Sequence, residues 1–185
     1  MRIVAGRFRG RALAALGKGD AGAQLRPTTD RVRESLFSVL GGHGVLEGAR
    51  VLDLFAGTGA LGLEALSRGA VHVTFVDDGA KAGQLLKRNI ATLGVADETR
   101  VIRRDARRLF AADATCDLVF LDPPYGRGLG APALAAAAAG GWIAEDALVV
   151  WEEAAPQEVP AGFREVDRRA YGDTSVQLLR RDPSI

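Results

Sequence analysis

Apolar positions along the chain follow two periods, and the switches between them outline the fold. Val32, Leu36, Val39 and Leu40 recur at helical spacing after Pro27-Thr28-Thr29-Asp30, a run with helix-start chemistry, and Gly41-Gly42 closes the pattern. From Arg50 onward, short β-rich runs alternate with helical stretches. The pattern predicts strands over 51–54, 72–76, 100–103, 118–121 and 147–151, and helices over 60–67, 80–93 and 132–139. Such alternation implies a parallel sheet covered by helices on both faces. The end of the chain differs: runs 163–169 and 175–181 flank Tyr171-Gly172-Asp173 and read as an antiparallel hairpin. The expected fold is therefore α/β, with a mostly parallel seven-stranded sheet and a C-terminal antiparallel hairpin.

Length and composition narrow this reading. With 185 residues, 48% of them hydrophobic, the chain suits one compact domain with a short appendage. No run approaches the roughly 18 apolar residues of a membrane span, and the start lacks the apolar core of a signal peptide, so a cytoplasmic protein is expected. Cys116 is the lone cysteine and only His43 and His72 join it, which argues against a disulfide or a metal centre. Cys116 reads as a packing residue.

Charge is uneven although its total is only +1. Residues 1–33 carry eight cations against two carboxylates, a surplus of six, which leaves −5 for the rest. A basic arm over 1–28, with the main domain over 29–185, suggests a polyanionic partner met through the arm. Arg31 and Arg33 stand in the first helical turn, where the helix dipole disfavours cations, so helix stability does not account for them.

Two strand ends carry candidate chemistry. Asp53-Leu54-Phe55-Ala56-Gly57-Thr58-Gly59-Ala60-Leu61-Gly62 sets glycines at G-x-G-x-x-G spacing between a strand and a helix, a turn that lets a ligand approach the backbone. Asp77, twenty residues past Gly57, suits a carboxylate that accepts hydrogen bonds from ribose hydroxyls. Dinucleotide enzymes and methyltransferases share both features. Asp53 separates them, because a carboxylate there would repel a pyrophosphate but suits the amino group and sulfonium of S-adenosylmethionine. Asp105-Ala106, after the third strand, reads as a helix N-cap, an adenine contact, or both. The second signal is Asp122-Pro123-Pro124-Tyr125, delivered by the strand before it. An exocyclic amine of a nucleobase is a poor nucleophile, since its lone pair is delocalised into the ring. The Asp122 carboxylate and the Pro123 carbonyl can accept its two hydrogens and turn the lone pair outward, while Pro124 stiffens the loop and Tyr125 stacks on the base.

These motifs resemble the class I S-adenosylmethionine methyltransferases. Arg2-Ile3-Val4-Ala5-Gly6, Arg9-Gly10-Arg11, the stretch Leu25-Arg26-Pro27-Thr28-Thr29-Asp30-Arg31-Val32-Arg33-Glu34-Ser35-Leu36-Phe37 and Tyr171-Gly172-Asp173-Thr174 narrow the likeness to the bacterial 16S rRNA guanine-N2 methyltransferases of the guanine(966) type. The resemblance implies a Rossmann-like fold and S-adenosylmethionine held by Asp53, Phe55, Ala56, Gly57, Thr58, Gly59, Asp77, Asp78, Asp105, Ala106 and Asp122. It implies an amine-methylating loop at Asp122 to Tyr125, and RNA contacts from Arg7, Arg9, Arg11, Arg26, Thr28, Arg31 and Arg33. The implied partner is 16S rRNA in the small ribosomal subunit or an assembly intermediate, met by a monomer. One departure is Asp77-Asp78-Gly79, where the family often has Glu-x-Asp. The alternatives are an adenine-N6 or protein-glutamine methyltransferase, a nucleotide-binding oxidoreductase, and a catalytically silent RNA-binding module.

Overall fold

The computed structural model describes residues 1–17 and 29–183. Seven strands form one sheet in the order β3-β2-β1-β4-β5-β7-β6. They are β1 (Arg50–Leu54), β2 (His72–Val76), β3 (Thr99–Ile102), β4 (Cys116–Leu121), β5 (Ile143–Glu153), β6 (Phe163–Tyr171) and β7 (Thr174–Arg181). β1 to β5 run parallel, whereas β7 pairs antiparallel with both β5 and β6. The helices are α1 (Asp30–Gly42), α2 (Ala60–Ser67), α3 (Ala80–Leu93) and α4 (Gly130–Ala139). Among the described residues, no helix is long and apolar enough to cross a membrane.

Strand alternation splits the core into two layers. Val51, Val73, Phe75, Leu118, Phe120, Leu148 and Val150 face α1, α2 and α3, whereas Leu52, Leu54, Val119, Leu121, Val149 and Trp151 face α4 and the 3-10 turn Ala106–Arg108. Phe37 of α1 packs on Phe120 with ring centroids 5.7 Å apart. Thr29 caps α1 by accepting from the Val32 N–H at 3.3 Å, as the helix-start reading anticipates. Cys116 is buried, which pushes its thiol up to about 11.

The basic N-terminal segment is anchored in this core. Ile3 and Leu13 are buried in the layer that holds α1 to α3. An antiparallel bridge pairs Arg2 with Ala12, and the Ile3 N–H donates to the Arg11 carbonyl at 2.9 Å. The resulting loop docks on α2 and α3: Val4 and Ala5 N–H groups donate to the Glu64 carboxylate at 2.8 and 3.0 Å, and Ala14 exchanges hydrogen bonds with the Asn89 amide at 2.7 and 3.0 Å.

Candidate active site

Parallel pairing brings the carboxyl ends of β1, β2, β4 and β5 to one edge of the sheet, and every one of these strands carries acid there. Asp53 precedes the last residue of β1, Asp77 and Asp122 follow β2 and β4, and Glu152-Glu153 close β5. Between β1 and α2 the chain turns through Phe55 at φ 60, Gly57 at φ 57 and Gly59 at φ 81. A bulky residue in the left-handed region stores about 1–3 kcal/mol of strain and persists only where its surroundings hold it. Here the Ala56 N–H donates to the Val76 carbonyl at 3.1 Å and the Gly59 N–H to the Ala56 carbonyl at 2.8 Å. A Cβ on Gly57 would meet nothing within 4 Å, so the loop is open on that side. Gly62 is the opposite: an added Cβ would lie 2.5 Å from the Phe75 ring.

Asp53 supports this loop from beneath. Its carboxyl is 1% exposed and accepts from the Gly62 N–H at 3.0 Å. Burial pushes it up to about 8, the Gly62 hydrogen bond opposes the rise, and the charge of Asp77 adds to it. Asp77 clasps the loop to β2, accepting from the Gly57 N–H at 2.9 Å and the Gly79 N–H at 2.8 Å. Asp78 is exposed, and Ala106 is buried against α4. Asp105 caps the 3-10 turn through the Arg107 N–H at 2.9 Å, and its pairing with the Arg107 side chain holds its carboxyl below the usual range. The N-cap alternative for Asp105 is therefore present in the structure.

The Asp-Pro-Pro-Tyr loop leaves β4 beside this turn, with the Asp122 N–H reaching the Leu54 carbonyl at 3.4 Å. Pro123 is buried, and Pro124 and Tyr125 are partly buried. The Tyr125 hydroxyl donates to Glu152 Oε1 at 2.7 Å and lies 3.0 Å from the Thr174 hydroxyl. Burial lifts its pKa, which keeps it protonated. Glu153 Oε1 accepts from the Gly126 and Ala154 N–H groups at 3.0 and 2.9 Å. The paired acids at the end of β5 thus strap the loop at the Tyr125 hydroxyl and at the Gly126 backbone. Burial, and then the charges of Glu152, Asp53 and Glu153, raise the Asp122 carboxyl well above its ordinary range. An open glycine turn over buried carboxylates fits a small cationic cofactor such as S-adenosylmethionine and disfavours a pyrophosphate.

The family model for Conserved hypothetical protein 95 matches residues 1–180. The chain belongs to that family. Ribosomal RNA small subunit methyltransferase D of Escherichia coli strain K12 is 39% identical over 186 residues, spanning 98% of this chain and 90% of the relative. The solved structure of yhhF from Escherichia coli is 38% identical, covers 100% of this chain and 99% of its own, and superposes with a TM-score of 0.85. A shorter likeness, 40% identity over 83 residues, links 45% of this chain to 24% of the tRNA (guanine(10)-N2)-dimethyltransferase of Methanothermobacter thermautotrophicus. This member of the Conserved hypothetical protein 95 family is a methyltransferase with the Rossmann-like fold expected from its sequence.

Within this family member, the arginines expected at RNA are scattered. Arg33 corrects the sequence reading: it is 0% exposed, donates to the Arg2 carbonyl at 2.8 Å, pairs with Asp30, and lies 3.5 Å from the buried Glu64 carboxylate. Its guanidinium faces the interior and joins α1, α2 and the N-terminal loop. Arg7 pairs with Glu98, and Arg11 donates to the Thr92 carbonyl at 2.9 Å. Glu98 immediately precedes β3 and Thr92 lies in the last turn of α3, so both partners mark the amino edge of the sheet, opposite Asp122. Arg9 and Arg31 are exposed, and Arg26 and Thr28 lie outside the described residues. Sequence reasoning missed Glu152, Glu153 and Asn89. The first two had a usable signal, acids at the end of an apolar run as at Asp53 and Asp122. Asn89, fully buried, also donates to the Thr58 carbonyl at 2.9 Å and ties the glycine turn to the N-terminal segment.

Proposed function

We propose that this methyltransferase transfers a methyl group from S-adenosylmethionine to the exocyclic N2 of a guanine in 16S rRNA of the small ribosomal subunit. The observation that carries the reading is the meeting of the Asp122–Tyr125 loop and the open glycine turn at one sheet edge, in a chain related over its length to an rRNA small subunit methyltransferase. The guanine-N2 activity in the name of the Methanothermobacter relative supports the choice of amine.

Phe55 to Gly59 would hold the cofactor along the open side of the turn, Asp77 would accept from its ribose, and Asp78, Asp105 and Ala106 would bound its adenine. Asp53 lies beneath its cationic end, where a bound cation would favour the ionised carboxylate that burial alone disfavours. When bound, S-adenosylmethionine supplies an electrophilic methyl group on a sulfonium. The chain's own task is to present the amine. The Asp122 carboxylate and the Pro123 carbonyl accept the two amine hydrogens, which turns the nitrogen lone pair away from the ring. Asp122, raised by burial, then takes the proton that the methylated nitrogen sheds. Tyr125, fixed through Glu152 and Thr174, offers a rigid face on which the base stacks. A positioned acid-base group of this kind contributes about 10²- to 10⁴-fold. A base that starts stacked must first leave its stack, at a cost of roughly a few kcal/mol.

The test is the product. Hypomethylated small subunits incubated with tritiated S-adenosylmethionine, then digested to nucleosides, are expected to yield labelled N2-methylguanosine. Label only in N6-methyladenosine, or only in protein, would overturn the substrate.

A further inference from the structure

Residues 100–108 hold five arginines, Arg100, Arg103, Arg104, Arg107 and Arg108, against the single Asp105, within a region that is net acidic after Arg33. Their position gives this run meaning. β3 ends at Ile102, whose carbonyl accepts from the Asp77 N–H at 3.2 Å and the Arg104 N–H at 3.1 Å. Arg103 and Arg104 therefore leave the sheet beside Asp77, at the same edge as Asp122 and three strand spacings from β4, about 14 Å. All five arginines are exposed.

Arg107 folds back on Asp105 at 2.7 Å and Arg100 on Asp113 at 2.9 Å. Among the described residues, no hydrogen bond or ion pair engages the side chain of Arg103 or Arg108. Phe110 is an exposed large apolar residue at 37%, with the guanidinium carbons of Arg100 and Arg104 over its ring at 5.6 and 5.5 Å. A run of like charges at a sheet edge raises self-repulsion, so fold stability alone does not account for it. The Phe110 ring packs edge-on against Trp142 ahead of β5, so it holds Arg104 in place while the exposed arginines after β3 suit a strand that carries phosphates. Arg7 and Arg11, by contrast, are committed to partners at the opposite edge.

We propose that Arg103, Arg104 and Arg108 form a phosphate-binding surface for RNA on the β3 side of the active site. The proposal rests on the reading of the chain as an RNA methyltransferase. The strip neutralises backbone phosphates flanking the target nucleotide, while the Asp122 loop receives the base.

The double variant Arg103→Ala with Arg108→Ala tests this, since both side chains are exposed and outside the cofactor and catalytic residues named above. Binding of a 16S rRNA transcript is measured across a salt series, with cofactor affinity and thermal unfolding measured alongside. Loss of two phosphate contacts is expected to weaken RNA binding and make the slope of log affinity against log salt shallower by about 1.4–1.8. Cofactor affinity and melting temperature stay at the wild-type values. Unchanged RNA affinity and slope, with the wild type still labelling RNA, would overturn this surface alone. A loss of cofactor affinity would overturn it by placing the arginines in the cofactor pocket. A wild type that labels no RNA overturns the functional reading and the surface together.

Discussion

Asp53 joins two roles that pull its proton in opposite directions. Its carboxyl must accept from the Gly62 N–H, which favours the ionised form, yet burial pushes it up to about 8. Unfolded, it would titrate near 3.9, roughly the ordinary value. The native state therefore binds the extra proton between about pH 4 and 8, and this contribution to stability is lost as pH rises through about 8. Asp53→Asn keeps an acceptor for Gly62 and cannot ionise. Its melting temperature is expected to match the wild type below pH 4 and to exceed it increasingly toward pH 8; a difference constant with pH in parallel thermal melts would contradict this. Asp122 is raised by the same burial and by Glu152. It can take up the amine proton only when ionised, so the transfer rate is expected to climb with pH above the ordinary carboxylate range. Asp122→Asn is expected to lose about 10²- to 10⁴-fold in single-turnover rate. Equilibrium dialysis should find its cofactor affinity retained.

At the scale of elements, the first turn of α1 holds two arginines with different fates. Arg33 lies inside beside Glu64, and Arg31 stands in solvent. Arg33→Ala leaves the Glu64 carboxylate buried with fewer partners and is expected to destabilise the fold by about 3–5 kcal/mol. Arg31→Ala should fall within about 0.5 kcal/mol of wild type in the same urea titrations. The end of β5 governs the Asp122–Tyr125 loop in a comparable way. Tyr125→Phe removes the hydroxyl that meets Glu152 and Thr174, at an expected cost of about 1–3 kcal/mol in stability. Single-turnover measurements should show a slower transfer step at saturating cofactor. β5 was also the strand least legible beforehand. The apolar run predicts 147–151, whereas the strand spans Ile143–Glu153. Polar Glu145-Asp146 interrupts the pattern, Asp146 sits at φ 61 inside the strand, and Glu152 and Glu153 are acids buried by their loop contacts.

At the scale of the molecule, the N-terminal segment belongs to the body it was expected to extend from. Ile3 and Leu13 fill the core, and the carboxylate of Glu64 and the amide of Asn89 take their partners from residues 4, 5 and 14. Deleting residues 1–17 is expected to abolish a cooperative thermal transition, as followed by circular dichroism; a truncated chain that melts like the full one would contradict this. Local pattern was enough for α2, β2 and α3, whose bounds coincide with the periodic runs, and for the strand ends that carry Asp53, Asp77 and Asp122. Those features depend on neighbours within a few residues, where apolar period, glycine and turn chemistry act directly. The direction in which a charge points is a different matter. Arg33 in the core, Arg7 and Arg11 at the far edge, Arg103 to Arg108 beside Asp77, and Glu152 under Tyr125 all follow from packing between segments distant in the chain. A side chain's charge can be read from the sequence alone, but its burial and partners depend on which surfaces the folded sheet brings together.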